Sequence, residues 1–599
     1  MKFIKLFSFF AVFAVALTAM SQKQPPQNQK KIDDWEYNAT MTINDGVVGK
    51  GRMMPTLGTT AMPSPMMKSL RVEAAPANLG FAVGGAKDAN NFYDNLKNGY
   101  LPKLKSITYE GVFYEHYFDT GKEKEPCKTL FCPSYSTAVQ KNLFTDETEH
   151  YLSVGLNSNI QVEDFARKKL NLVVVLDISG SMSSPFNRYY YDQRKEPSLP
   201  SKEEQKPKME VANESLAAML KHLKAEDSLG IVLFDSRAYL AKPLRQVAYT
   251  DMQAIEKHIP ELKPRGGTNW SEGYKKGLSL FEKLDKAQKD PSVYENRIIF
   301  ITDAMPNRGE LNEKGLFGMV DKAAKEGIYT SFIGVGIDFN ADLVERVSKT
   351  KGANYYAVHS VEEFKKRLDD EFDFMVTPLV FDLKVTLDTK GYEIEGIYGS
   401  PEADKATKTV LYVNTLFPSS SKDEKTKGGI ILVKLKKISD TDNLTLTASY
   451  KDRNGKKHEV TKSASFKNGL YYDNSGIRKA ILLSEYVTLI QNWLIDARAA
   501  CNDKVTHTPK EISFYRKCML YPPERPEYPM IETWERKSCK LRVSDGYRNV
   551  FALFKRKFAT EMKILGDESL QKEYDALSLL TSGSFKNQNG KKDDWQTER

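Results

Sequence analysis

The chain has 599 residues, which at roughly 150 residues per domain suggests about three or four domains. Its 40% hydrophobic and 28% charged content excludes a collagen-like, wholly disordered or multi-pass membrane protein. The 88 basic and 79 acidic residues leave a net charge of +9, interspersed and with no concentrated basic block, so nucleic acid is not an expected partner.

Residues 1–21 read as a secretory signal. Lys2 and Lys5 precede an apolar run from Leu6 to Leu17, and Ala19-Met20-Ser21 offers a cleavage triplet. The run is shorter than the roughly 20 residues of a membrane span; an uncleaved N-terminal anchor is the alternative reading. No Cys marks the cleavage region for lipid attachment, and no second membrane-length run follows. The expectation is an exported chain of the periplasm, cell envelope or extracellular space, with no transmembrane span in its mature form.

Residues 22–70 have the Gln-, Pro-, Gly- and Met-rich composition of a disordered linker. Their Met53, Met54, Met62, Met66 and Met67 fit a spacer better than soft-metal capture. Over residues 71–165, aromatic clusters and the alternation of Leu152, Val154 and Leu156 predict a region that contributes strands to a β module.

The pattern changes between about 168 and 376. The run Leu172–Leu176 (LVVVL) is suited to a strand buried on both faces. A helical pattern over 209–223 follows, then a strand over 229–234, a helix over 269–284, a strand over 297–302, a helix over 316–325, a strand over 328–335 and a helix over 361–374. Alternating strands and helices predict a doubly wound α/β domain. Beyond Pro378 the period switches to two, and Asn454-Gly455 marks a hairpin, so residues 378–468 are expected to be an antiparallel β module. Residues 475–580 return to a helical pattern, and 581–599 read as a disordered tail. The fold class is therefore multidomain, α/β plus all-β.

Export makes disulfides possible among Cys127, Cys132, Cys501, Cys518 and Cys539, with Cys127 and Cys132 close enough to close a small loop. Their spacing does not make a metal site, and the pairing of the C-terminal three stays open.

The residues that carry chemistry lie just past the buried strands. Asp177, Ser179 and Ser181 follow LVVVL, Thr268 follows Gly266-Gly267, and Asp303 ends RIIFIT. In an open α/β sheet, ligands bind outside the carboxyl ends of the strands, near the point where strand order reverses. Two carboxylates and three hydroxyls form a hard-oxygen set, suited to Mg²⁺, Mn²⁺ or Ca²⁺ rather than zinc or copper.

These five residues, in order, resemble the metal-ion-dependent adhesion site of a von Willebrand factor type A domain. DxSxS matches Asp177, Ser179 and Ser181, the distant Thr matches Thr268 and the distant Asp matches Asp303. The resemblance implies that the hydroxyls ligate the ion directly and the carboxylates act partly through bound water. It also implies a position left for an exposed Asp or Glu of a protein ligand. Ala304 stands where many relatives have Gly, a departure that bears on loop geometry. The wider arrangement resembles bacterial secreted members, in which β segments flank the domain as a β-sandwich.

A polar insert between Ser184 and Pro207 carries Tyr189, Tyr190 and Tyr191, candidate partner-contact residues; a disordered excursion is the other reading. An enzyme is disfavoured. Neither serine lies in a GxSxG elbow, and the chain has no HExxH or GxxxxGK[ST] motif. The expected function is metal-dependent protein binding or adhesion. An envelope or surface-assembly scaffold that binds without metal is the alternative, and a hydrolase the weaker third.

Overall fold

The computed structural model describes residues 30–38, 78–83, 90–97, 99–121, 128–161, 164–185, 206–303, 313–335, 350–358, 371–400, 407–440, 443–502 and 541–582, together with Leu368. The signal segment, Cys127, Tyr189–Tyr191, Cys518, Cys539 and the tail beyond 582 lie outside these.

A six-stranded sheet forms the α/β unit. Its order is Asn354–Val358, Ile328–Val335, Tyr294–Thr302, Lys169–Asp177, Ser228–Phe234 and Ala238–Gln246. All pairs are parallel except the last, in which Ala238–Gln246 runs antiparallel to its neighbour. Lys169–Asp177 is central, and its side chains alternate between two cores. Leu172, Val174 and Leu176 meet Met209, Leu216 and Ile255, whereas Val173 and Val175 meet Trp270 and Tyr274. That two-sided burial is why the run carries no polar residue. The helix Trp270–Glu282 lies tight on the sheet because a Cβ at Gly277 would sit 2.7 Å from Val175 and one at Gly273 2.7 Å from Phe234.

From the central strand the chain steps outward on one side, through Ser228–Phe234 and Ala238–Gln246. It then returns to the other side with Tyr294–Thr302. The order reverses at the carboxyl end of Lys169–Asp177, which opens a crevice there. Buried Arg167 ties the two ends of the unit together. Its Nε donates to Asp373 at 2.7 Å and its NH1 and NH2 to Asp227 at 2.9 and 2.5 Å.

A ten-stranded sheet accompanies it, and every pairing between its described strands is antiparallel. The chain leaves this sheet at the end of Thr148–Gln161 and rejoins it at Val380–Lys390, so the α/β unit is inserted between two of its strands. Thr148–Gln161 pairs with Phe131–Lys141 on one side and with Ile430–Lys437 on the other. Asn443–Asp452 and Lys457–Ala464 form the hairpin around Asn454-Gly455, with Gly455 at φ 79°.

The helices Ser475–Asn502, Asp545–Leu565 and Gln571–Ser582 bury Trp493, Phe551, Phe554 and Phe558 in one core with Phe92 and Phe113 from the N-terminal side. Cys132 is disulfide-bonded.

Residues 30–38 fall within the stretch read as a disordered linker, yet they lie against the α/β unit. Asp34 is buried there beside Lys242, at 3.3 Å. A composition-based reading misses this because the contacts that order the segment come from more than 200 residues away.

Candidate metal centre

The site is built from the loops at the reversal point. Asp177 ends the central strand and is fully buried. Its Oδ1 accepts the Ser179 amide at 2.7 Å and its Oδ2 the Thr302 hydroxyl at 2.6 Å, so both oxygens are oriented. The Ser179 and Ser181 hydroxyls lie 3.0 Å apart, and Ser181 Oγ donates to Asp303 Oδ1 at 2.8 Å. Asp177, Ser179, Ser181 and Asp303 thus converge in one hydrogen-bonded chain drawn from two loops.

Thr268 enters from a third loop, clamped onto the first by backbone. Arg265 N donates to Ile178 O at 2.6 Å, and Gly180 N to Gly266 O at 3.1 Å. Gly266 adopts φ 68°, which favours glycine, and a Cβ there would stand a tight 3.1 Å from Asp235 Oδ2. Asp235 holds the loop further: its backbone carbonyl accepts Asn269 N at 2.7 Å and its carboxylate pairs with Arg265 at 3.0 Å. Thr268 itself is buried. Tyr189, Tyr190, Tyr191 and Ala304 lie outside the described residues.

The electrostatics favour a cation. Burial, and then the neighbouring Asp303 carboxylate, push the Asp177 carboxyl up to about 7. Two carboxylates held close in a dry pocket resist joint ionisation unless positive charge is supplied. Among the described residues no three His, Cys, Asp or Glu side chains cluster, so an ion here would need oxygens besides carboxylates, and the adjoining hydroxyls are such oxygens. That donor set fits a hard divalent cation.

Lys208 also reaches the site, and it does not figure in the sequence reading. Its ammonium lies 3.4 Å from Asp303 Oδ2, and neither side chain is exposed. It is the first residue of the helix Lys208–Met219, where the macrodipole disfavours a cation. Thr302 was likewise passed over, as the last residue of a strand.

Comparison with known proteins finds relatives over the middle of the chain. The von Willebrand factor type A domain family matches residues 172–306. Inter-alpha-trypsin inhibitor heavy chain H1 of Mesocricetus auratus is 23% identical over 271 residues, covering 44% of this chain and 27% of that one. The protein YfbK of Escherichia coli (strain K12) is 27% identical over 220 residues, covering 36% and 33%. The matches therefore span about a third or less of these relatives' lengths. Among solved structures, a von Willebrand factor type A protein from Catenulispora acidiphila aligns with TM-score 0.38 and 13% identity, covering 64% of this chain and 84% of that one. Residues 172–306 are a von Willebrand factor type A domain.

Proposed function

We propose that this type A domain holds a divalent cation, Mg²⁺ ahead of Mn²⁺ or Ca²⁺, through Asp177, Ser179, Ser181, Thr268 and Asp303. The chain is then an exported binding protein that captures an exposed Asp or Glu of a protein partner. The observation that carries this reading is the convergence of Ser179, Ser181 and Asp303 beside the oriented Asp177 at the sheet's carboxyl edge.

Asp177 and Asp303 contribute negative charge, while Ser179, Ser181 and Thr268 contribute neutral oxygens. A bound divalent cation would supply positive charge that this donor set leaves uncompensated, together with an exchangeable position for a carboxylate. Ser179 hydrogen-bonds to Ser181 and Ser181 to Asp303, and among the described residues no imidazole bonds to either hydroxyl, which argues for binding over nucleophilic catalysis. Export is supported by the N-terminal signal pattern and by the disulfide at Cys132. Among the described residues no helix is long and apolar enough to cross a membrane.

The test is recovery of partners from the native envelope on immobilised full chain, with Mg²⁺ and with chelator. Loss of partners under chelation supports metal-bridged capture. Partners retained under chelation favour the scaffold reading instead.

A further inference from the structure

The segment 30–38 occupies a groove along the antiparallel edge of the type A domain, and it is held there residue by residue. Ile32 N donates to Tyr249 O at 3.2 Å and Ile32 O accepts Asp251 N at 2.8 Å, while Glu36 N donates to Ala241 O at 2.7 Å. Asp33 pairs with His258 at 2.9 Å, and Trp35 stacks on the same imidazole, with ring centroids 5.1 Å apart and planes at 13°. Asp34 meets Lys242 at 3.3 Å and Arg245 at 3.4 Å. Lys242 is fully buried and also donates to Leu229 O at 2.8 Å, so the groove floor carries a fixed ammonium. Tyr37 sits edge-on to Tyr239, with the Arg265 guanidinium 5.7 Å from its ring. The groove is basic and aromatic, and its occupant is acidic and aromatic.

Side-chain recognition therefore falls on Asp33, Asp34 and Trp35. Lys31, Ile32 and Glu36 are exposed, and Ile32 and Glu36 contribute backbone to the pairing. The same triplet occurs once more in the chain, as Asp593-Asp594-Trp595, in a sequence that holds five Trp in all. Aligned on the triplet, Lys591 stands with Lys31, Lys592 with Ile32 and Gln596 with Glu36. The two sequences agree at Asp33, Asp34 and Trp35, whose side chains meet the groove, and differ at Ile32 and Glu36, where backbone makes the contact. They also differ at one contacting position, since Thr597 replaces Tyr37 and would leave Arg265 with only Tyr239 of its two aromatic neighbours.

We infer that this groove is a receptor for an Asp-Asp-Trp motif, and that the C-terminal segment 591–596 is its second ligand, exchanging with residues 31–36. Charge complementarity between the carboxylates and Lys242, Arg245 and His258 supplies attraction that weakens with salt. The stacked Trp supplies the anchor. Exchange trades the Tyr37 contact on Arg265 for none. Arg265 begins the loop that carries Thr268, so the two occupants differ in how they support the metal-site rim.

The test uses the full chain carrying Asp34→Ala, Trp35→Ala and Trp595→Ala, which weakens both resident ligands. Its fold is checked by thermal melting against the wild type. Fluorescent peptides of residues 590–599 and 30–38 are titrated into it in chelator, with anisotropy as the readout, so that the result does not depend on the metal site. Both peptides are expected to bind about tenfold or more tightly to this host than to the wild type. Trp595→Ala in the tail peptide, or His258→Ala in the host, should reduce tail binding by about tenfold. The inference is overturned if the tail peptide does not bind, if it binds equally well after Trp595→Ala, or if the 30–38 peptide fails to bind in trans. Should the triple variant not fold, Trp35→Ala with Trp595→Ala serves as the host with the same expectations.

Discussion

Ser181 donates its hydroxyl to Asp303 at 2.8 Å across 122 residues of chain, joining the loop after the central strand to the loop after its neighbour. This contact brings a hydroxyl and a carboxylate from separate strands into one donor set, and Ser179 extends it.

Replacing Ser179 or Thr268 by Ala should weaken divalent-cation binding by about 10–100-fold, the range seen when supporting metal contacts are lost. Equilibrium Mn²⁺ binding measured by the free-ion resonance signal checks this. The melting temperature in chelator should stay close to that of the wild type, because each change removes one hydroxyl. Unchanged Mn²⁺ affinity would remove that residue from the donor set.

Much of the α/β unit was legible because burial on both faces writes itself into composition. LVVVL has no polar residue and RIIFIT has them only at its two ends, so neither strand is concealed, and the site residues follow them directly. The edge strand Ala238–Gln246 was not legible: AYLAKPLRQ carries a Pro and two cations, and most of its residues are only partly buried. Lys208 reads as an ordinary helix-surface lysine until the fold brings Asp303 to it. Residues 30–38 read as polar linker for the same reason, since each of their partners is remote in sequence.

Lys208→Met removes an ammonium from beside the buried Asp303 carboxylate. In the metal-free state this should destabilise the domain, by about 3–5 kcal/mol if the loss matches that of breaking a buried pair. With the competing charge gone, Mg²⁺ should bind more tightly. The expected result is a wider gap between melting temperatures in Mg²⁺ and in chelator than the wild type shows. A gap no wider than the wild type's would show that Lys208 does not act on the ion.

The insert is closed at its base, where Pro185 and Pro207 form an antiparallel bridge and Lys208 N donates to Ser184 O at 3.0 Å. Replacing residues 186–206 with a short Gly-rich turn should therefore leave the domain folded and its Mn²⁺ affinity intact. The set of captured partners should change, because Tyr189, Tyr190 and Tyr191 go with the insert. Circular dichroism and the envelope pull-down check the two halves separately, and an unfolded variant would show that the insert contributes core.

The C-terminal helices have their own pH signature. Burial pushes the Asp567 carboxyl up, but hydrogen bonds from Lys479, at 2.6 Å, and from Ser569 outweigh it, and the pKa falls to about 2. A carboxylate held below its ordinary value stabilises the fold above about pH 4. That contribution is lost as pH falls toward about 2. Asp567→Asn should flatten the acid limb of the melting-temperature profile over this window and lower stability at neutral pH. An unchanged acid limb would mean that the Lys479 pairing contributes nothing to stability.

The most direct measurement of the central claim is a crystal structure of the full chain grown with Mn²⁺, with diffraction recorded for anomalous scattering. The account predicts one strong peak within direct bonding distance of the Ser179, Ser181 and Thr268 hydroxyls, with Asp177 and Asp303 alongside. A saturated crystal with no peak there, or with Lys208 Nζ filling that position, would contradict it.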